Sequence, residues 1–143
     1  MMDNLESLVR GSFRKEMLAS GLYAVLAMQY AKKNPKLGAR LREAAEQEHM
    51  HGRLFKHYYF NRFNKQAGNE SFWKAVGRFI AGMMTVMPLK KKLNSLSGKE
   101  SDAVRMIEAA LAAGLEPSYQ KILRRILPDE KSHAAIYKEE YSS

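Results

Sequence analysis

Apolar positions recur at spacings of three and four over four long stretches and one shorter one, and nowhere alternate at a spacing of two, so the pattern predicts an all-α protein. The first stretch runs from about Leu5 to Lys33 and stops at Lys33-Asn34-Pro35. There Asn34 can cap the next helix and Pro35 can fill its first turn. The second runs from Pro35 to about Phe63. After the turn-forming Gln66-Ala67-Gly68-Asn69, residues Phe72, Trp73, Val76, Phe79, Ile80, Met83 and Met87 make one apolar stripe that ends at Pro88. The third long helix begins between Leu89 and Ser101 and ends near Gly114; the fourth runs from Pro117 to about Tyr141. Pro128 lies inside the fourth, where a missing backbone N–H predicts a kink or a helix boundary at Leu127.

Each helical residue turns by about 100°, so residues three, four and seven apart share a face. On that rule Val9, Glu16, Tyr23, Ala27 and Tyr30 face inward on the first helix. Leu37, Leu41, Ala44, Glu48, His51, Phe55 and Tyr59 do so on the second, and Glu100, Val104, Ile107, Leu111 and Gly114 on the third. Leu123, Ile126, Glu130, His133, Tyr137 and Tyr141 complete the set on the fourth. Glu46 and His49 overlap the Glu48–His51 pair but sit about 200° away, beside Arg42, Arg53 and Lys56, and are expected in solvent. His57 is expected at the surface.

The inward polar residues are duplicated. Glu48-x-x-His51 followed by Phe55 returns as Glu130-x-x-His133 followed by Tyr137, at an offset of 82; Glu16 stands 32 residues before Glu48, and Glu100 stands 30 before Glu130. Two related helix pairs, arranged as a four-helix bundle with pseudo-two-fold symmetry, are the expected architecture, and 143 residues suit one domain with a sizeable core. Buried charges cost several kcal/mol each unless they are paired or bound to metal. Four glutamates balance two divalent ions, and carboxylate with imidazole suits iron, or manganese as the alternative. Glu100 has a competing use, because Ser97-Gly98-Lys99-Glu100 also reads as a capping box. Glu108, about 80° off the stripe, is the substitute ligand in that case.

The absence of cysteine excludes thiol nucleophiles, zinc ribbons, iron–sulfur clusters and a rubredoxin module within this chain. Lys and Arg number 24 against 15 Asp and Glu, a net charge of +9. If glutamates 16, 48, 100 and 130 are neutralised by metal, the outer surface is more basic still. An anionic membrane or an acidic redox partner is therefore a better expectation than nucleic acid. The N-terminal residues lack the basic-then-apolar order of a secretory signal, so a cytoplasmic location is the default. The stretch from Phe72 to Leu89 is interrupted by Lys74 and Arg78; it is suited to lie on a membrane and not to cross one. A helix packed on the bundle or at a homodimer interface is the other use of that stretch.

A Glu from each of two helices plus a Glu-x-x-His from each of the other two is the ligand set of ferritin-like dimetal carboxylate proteins. The sequence resembles that superfamily over essentially its whole length, and within it the rubrerythrin and demethoxyubiquinone hydroxylase branches. The hydroxylase likeness adds Trp73-x-x-x-Gly77 between the second and third long helices. The resemblance implies a ferritin-like four-helix bundle with an additional amphipathic segment, and two iron ions held by Glu16, Glu48, His51, Glu100, Glu130 and His133. It also implies an oxidoreductase reacting with oxygen or peroxide, fed by an external electron donor and, in the hydroxylase case, acting on a lipid-soluble substrate. Met106-Ile107 stands where the hydroxylases carry His-Tyr, and Ser97 where rubrerythrins usually carry an acid one turn before the helix-three ligand. A rubrerythrin-like peroxide reductase or ferroxidase is the alternative within the superfamily, and a metal-free basic helical adaptor the alternative outside it. Tyr23 and Tyr137 serve core packing first; beside a dimetal site they could also donate a hydrogen bond or an electron.

Overall fold

The computed structural model describes residues 2–138, with the side chains of residues 4–138; Tyr141, placed on the fourth helix by its spacing, lies outside them. Every regular element among the described residues is helical. In order they are α1 (Met2–Tyr30), α2 (Pro35–Phe63), α3 (Glu70–Met83), a 3-10 turn (Met84–Val86), α4 (Leu89–Ala112) and α5 (Pro117–Ile136). The chain divides into two compact units, the first ending at Met83 and the second beginning at Met84.

In the first unit α1 and α2 form an antiparallel hairpin. Its tight connection follows from local chemistry: Asn34 Oδ1 accepts from Leu37 N–H at 3.3 Å, and Pro35 opens the helix with the φ it already holds. Opposed pairs descend the hairpin in order. Ser20 Oγ donates to Ala45 O at 3.0 Å near the connection, and Arg10 Nη2 donates to Tyr59 Oη at 2.6 Å toward the other end. Asn64 stops α2 in the left-handed conformation at φ 55°, its N–H returning to Phe60 O at 2.8 Å. The expected inward face of α2 is buried at every position from Leu37 to Tyr59.

Asn69 Oδ1 accepts from Phe72 N–H at 3.1 Å and opens α3, whose first residue, Glu70, pairs with Lys56 at 2.8 Å and Arg53 at 3.5 Å. α3 then crosses α1 with almost no side chain between them. A Cβ on Gly77 would overlap the Leu18 carbonyl oxygen, and a Cβ on Gly21 would overlap the Lys74 carbonyl oxygen. Gly77 and Ala81 are the buried residues of α3, while Phe72, Phe79 and Met83 are exposed. The part of the stripe formed by Phe72, Phe79 and Met83 therefore points away from α1, while Trp73, Val76 and Ile80 are half-buried. Met87 falls beyond it, past the 3-10 turn.

In the second unit α4 and α5 are an antiparallel pair. Ala113 N–H closes on Ala109 O, Gly114 takes a φ of +68° that suits glycine, and Pro117 starts α5. Two sequence expectations change here. α4 already begins at Leu89, which puts Ser97 in its third turn and not at an N-cap, so the capping-box use of Glu100 does not arise. α5 continues through Pro128 without a boundary at Leu127. The ring supplies a helical φ and forfeits one N–H, and burial of Leu123, Ile126, Glu130, His133 and Ile136 on the same helix outweighs that loss.

Candidate metal centre

The periodicity of α1 and α2 places Glu16 and the Glu48–His51 pair on facing stripes of the hairpin, and packing brings them together. His51 Nδ1 lies 3.5 Å from Glu16 Oε2 and 3.5 Å from Glu48 Oε1. Each of the three offers a ligand atom within 4.8 Å of those of the other two. All three are buried, Glu48 to 4 % exposure. Three-residue spacing on α2 puts Glu48 and His51 about 60° apart on the helix, close enough for both to face one point.

The second unit builds the same triad. His133 Nδ1 lies 4.0 Å from Glu100 Oε2 and 4.0 Å from Glu130 Oε2, and again the three offer ligand atoms within 4.8 Å of one another. Glu130 and His133 are each 1 % exposed and Glu100 is 5 % exposed. The sequence duplication is thus also a structural one: in each unit one helix contributes a glutamate and its partner contributes Glu-x-x-His.

All six residues expected to act as ligands are buried and sorted into these two triads. The competing residues are not. Glu108 and Glu46 are exposed, and so is His57. His49 departs from expectation, being half-buried instead of solvated, with Lys74 and Glu70 of α3 near enough to act on its charge. Burial holds its imidazole below the ordinary value, and the positive charges of Lys74 and Arg53 push the same way. Tyr23 is buried two turns after Glu16; Tyr137, one turn after His133, is half-buried at the C-cap of α5. Tyr30, Val104 and Leu111 are half-buried and Gly114 is exposed in its turn.

Above the first triad the α2 stripe continues through Phe55 to Tyr59, both buried. Tyr59 Oη donates to Glu6 Oε1 at 2.8 Å and accepts from Arg10, while Lys65 Nζ reaches the same Glu6 oxygen at 3.0 Å. The Tyr59 hydrogen bond, then that of Lys65, holds the Glu6 carboxyl below its ordinary value. This polar cluster closes the end of the hairpin over two aromatic layers and separates the triad from water on that side. Spacing alone does not reveal it, since Glu6, Arg10 and Lys65 read as surface charges. Tyr119 is different: it is 1 % exposed, lies one turn before Leu123 on the same stripe, and was open to prediction. Lys92, buried eight residues before Glu100, carries no such signal in its Lys90-Lys91-Lys92 run.

The donor set is uniform in kind. Each triad offers two carboxylates and one imidazole, with no thiolate, and that chemistry fits divalent first-row ions such as iron or manganese. The family model described as Rubrerythrin matches residues 7–141, a span that includes all six residues. No curated protein and no solved structure matches the chain.

Proposed function

This chain belongs to the rubrerythrin family of ferritin-like di-iron carboxylate domains, and on that premise we propose that it is a dimetal oxidoreductase that reduces peroxide or oxygen. The observation that carries the proposal is the repeated buried Glu, Glu, His triad. In this reading Glu16, Glu48, His51, Glu100, Glu130 and His133 are the metal ligands, and the chain is a single functional domain. The metals are two iron ions, with manganese the alternative.

Bound as a pair, such ions supply electrons and Lewis acidity to the reaction. The chain's own residues do the rest. Four glutamates offset the +4 charge of the ions, so the filled centre is neutral with neutral imidazoles. His51 and His133 must present an unprotonated nitrogen, which sets the lower pH limit of loading. Burial keeps bulk water from the donor atoms and strengthens each charge interaction. Tyr23 and Tyr137 are assigned to hold or pass a proton or an electron at the margins of the centre. Electrons are assigned to a separate donor, whose acidic surface would match the net charge of +9.

The test is metal content after anaerobic ferrous reconstitution. Two metals per chain are expected in the wild type, with a clear loss in Glu48→Ala and in Glu130→Ala. Consumption of peroxide by the loaded protein should then depend on added reductant. Less than one metal per chain, together with an unchanged melting temperature on metal addition, would sink the proposal and favour a metal-free helical adaptor.

A further inference from the structure

α3 is assembled inside out. Its contact with α1 is made by backbone and by small residues, because Gly21 and Gly77 allow an approach that any Cβ would block. Its large apolar residues recur at seven and four, Phe72, Phe79 and Met83, and they are 56 %, 68 % and 64 % exposed. They form one outward stripe, with half-buried Val76 between them. The single tryptophan, Trp73, stands at its edge under the Arg14 guanidinium, 5.3 Å from the ring centre. Val86, just after the helix, is 90 % exposed.

The charges on α3 beside this stripe are cations, Lys74 and Arg78, once Glu70 in its first turn is paired with Lys56 and Arg53. Arg78 is exposed. We propose that the outward face of α3 lies in the interface of an anionic lipid bilayer, with Phe72, Phe79 and Met83 entering the acyl boundary and Arg78 meeting lipid headgroups. A short helix with an apolar arc flanked by cations is built for that position. It cannot be a span, since no helix of the described residues is long and apolar enough to cross a membrane.

A second copy of the chain is the competing occupant, and two observations disfavour it. The three side chains expose on the order of 400 Å², about half of the roughly 800 Å² per partner that a stable interface uses. A symmetric contact would also bring Arg78 of one copy toward that of the other, whereas anionic lipid neutralises it. The proposal does not depend on metal, so its outcome and that of the dimetal reading are separable.

The experiment is flotation of the full chain with vesicles of phosphatidylcholine alone and of phosphatidylcholine with phosphatidylglycerol. Binding to the anionic vesicles is expected, with Trp73 fluorescence quenched by brominated lipid. Phe72→Ser with Phe79→Ser should weaken it at least tenfold at unchanged helicity, as both side chains are exposed. Arg78→Gln should weaken it by about fivefold, given the usual contribution of one cation near an anionic surface. No binding to anionic vesicles would overturn the proposal, and so would binding that survives the double serine variant. Concentration-dependent dimers abolished by that variant, without vesicle binding, would assign the face to a second copy instead.

Discussion

Replacing Glu48 by glutamine separates a metal site from a structural ion-pair cluster, because the two predict opposite signs. The ligand oxygens of Glu16 and Glu48 lie within 4.8 Å of each other. Two full charges at that distance repel by about 3.5 kcal/mol at an effective dielectric of ~20. His51 Nδ1, 3.5 Å from both, offsets part of this when protonated. Glu48→Gln keeps the shape and removes one charge, so the metal-free protein should become more stable by about 1–3 kcal/mol, a rise of roughly 3–9 °C in melting temperature for a chain of this size. With ferrous ion present the order should invert. A wild type saturated at about 1,000 times its dissociation constant gains about 4 kcal/mol, and a hundredfold loss of affinity removes about 2.7 of it. The assay is anaerobic urea unfolding of both proteins with and without ferrous ion, alongside metal analysis. A glutamine variant that is less stable without metal, yet gains as much as the wild type when metal is added, would refute the reasoning.

Gly77→Ala forces a Cβ into the Leu18 carbonyl and to 2.8 Å from Leu22 N, so α3 must lift from α1. Overpacking of this kind costs about 1–3 kcal/mol, read by urea unfolding, and metal content should be unchanged because no triad residue lies on α3; an alanine variant as stable as the wild type would mean that the close crossing is absent. Glu46→Gln and Glu108→Gln, both at exposed positions, should leave metal content at the wild-type value, and a loss in either would reassign the ligands. Glu70 is held below its ordinary 4.5 chiefly by the Lys56 hydrogen bond. Its contribution is therefore present above pH 4.5 and lost as pH falls through the lower folded value; Glu70→Gln should flatten stability across that acid range by under ~1 kcal/mol, measured by melts at stepped pH.

What the sequence determined by itself is the local geometry. A helical period of about 3.6 residues is intrinsic to the backbone, so the inward set from Leu37 to Tyr59 and the six triad residues could be selected by spacing alone. For Glu100 the start of α4 at Leu89 removes the capping use, because Ser97 sits too deep in the helix to cap it. Pro128 shows the converse, a local rule against helix continuation outweighed by burial along the rest of α5.

Only the tertiary structure decided which apolar faces are covered. The stripe of α3 reads like that of any core helix. Whether it turns inward depends on how close α1 comes, and that is set by Gly21 on one helix and Gly77 on the other, 56 residues apart in the chain. His49, which the periodicity of its own helix would have left in solvent, is half-buried. Periodicity orders residues around an axis, but burial belongs to a pair of surfaces, and the second surface is supplied by residues that no local window contains.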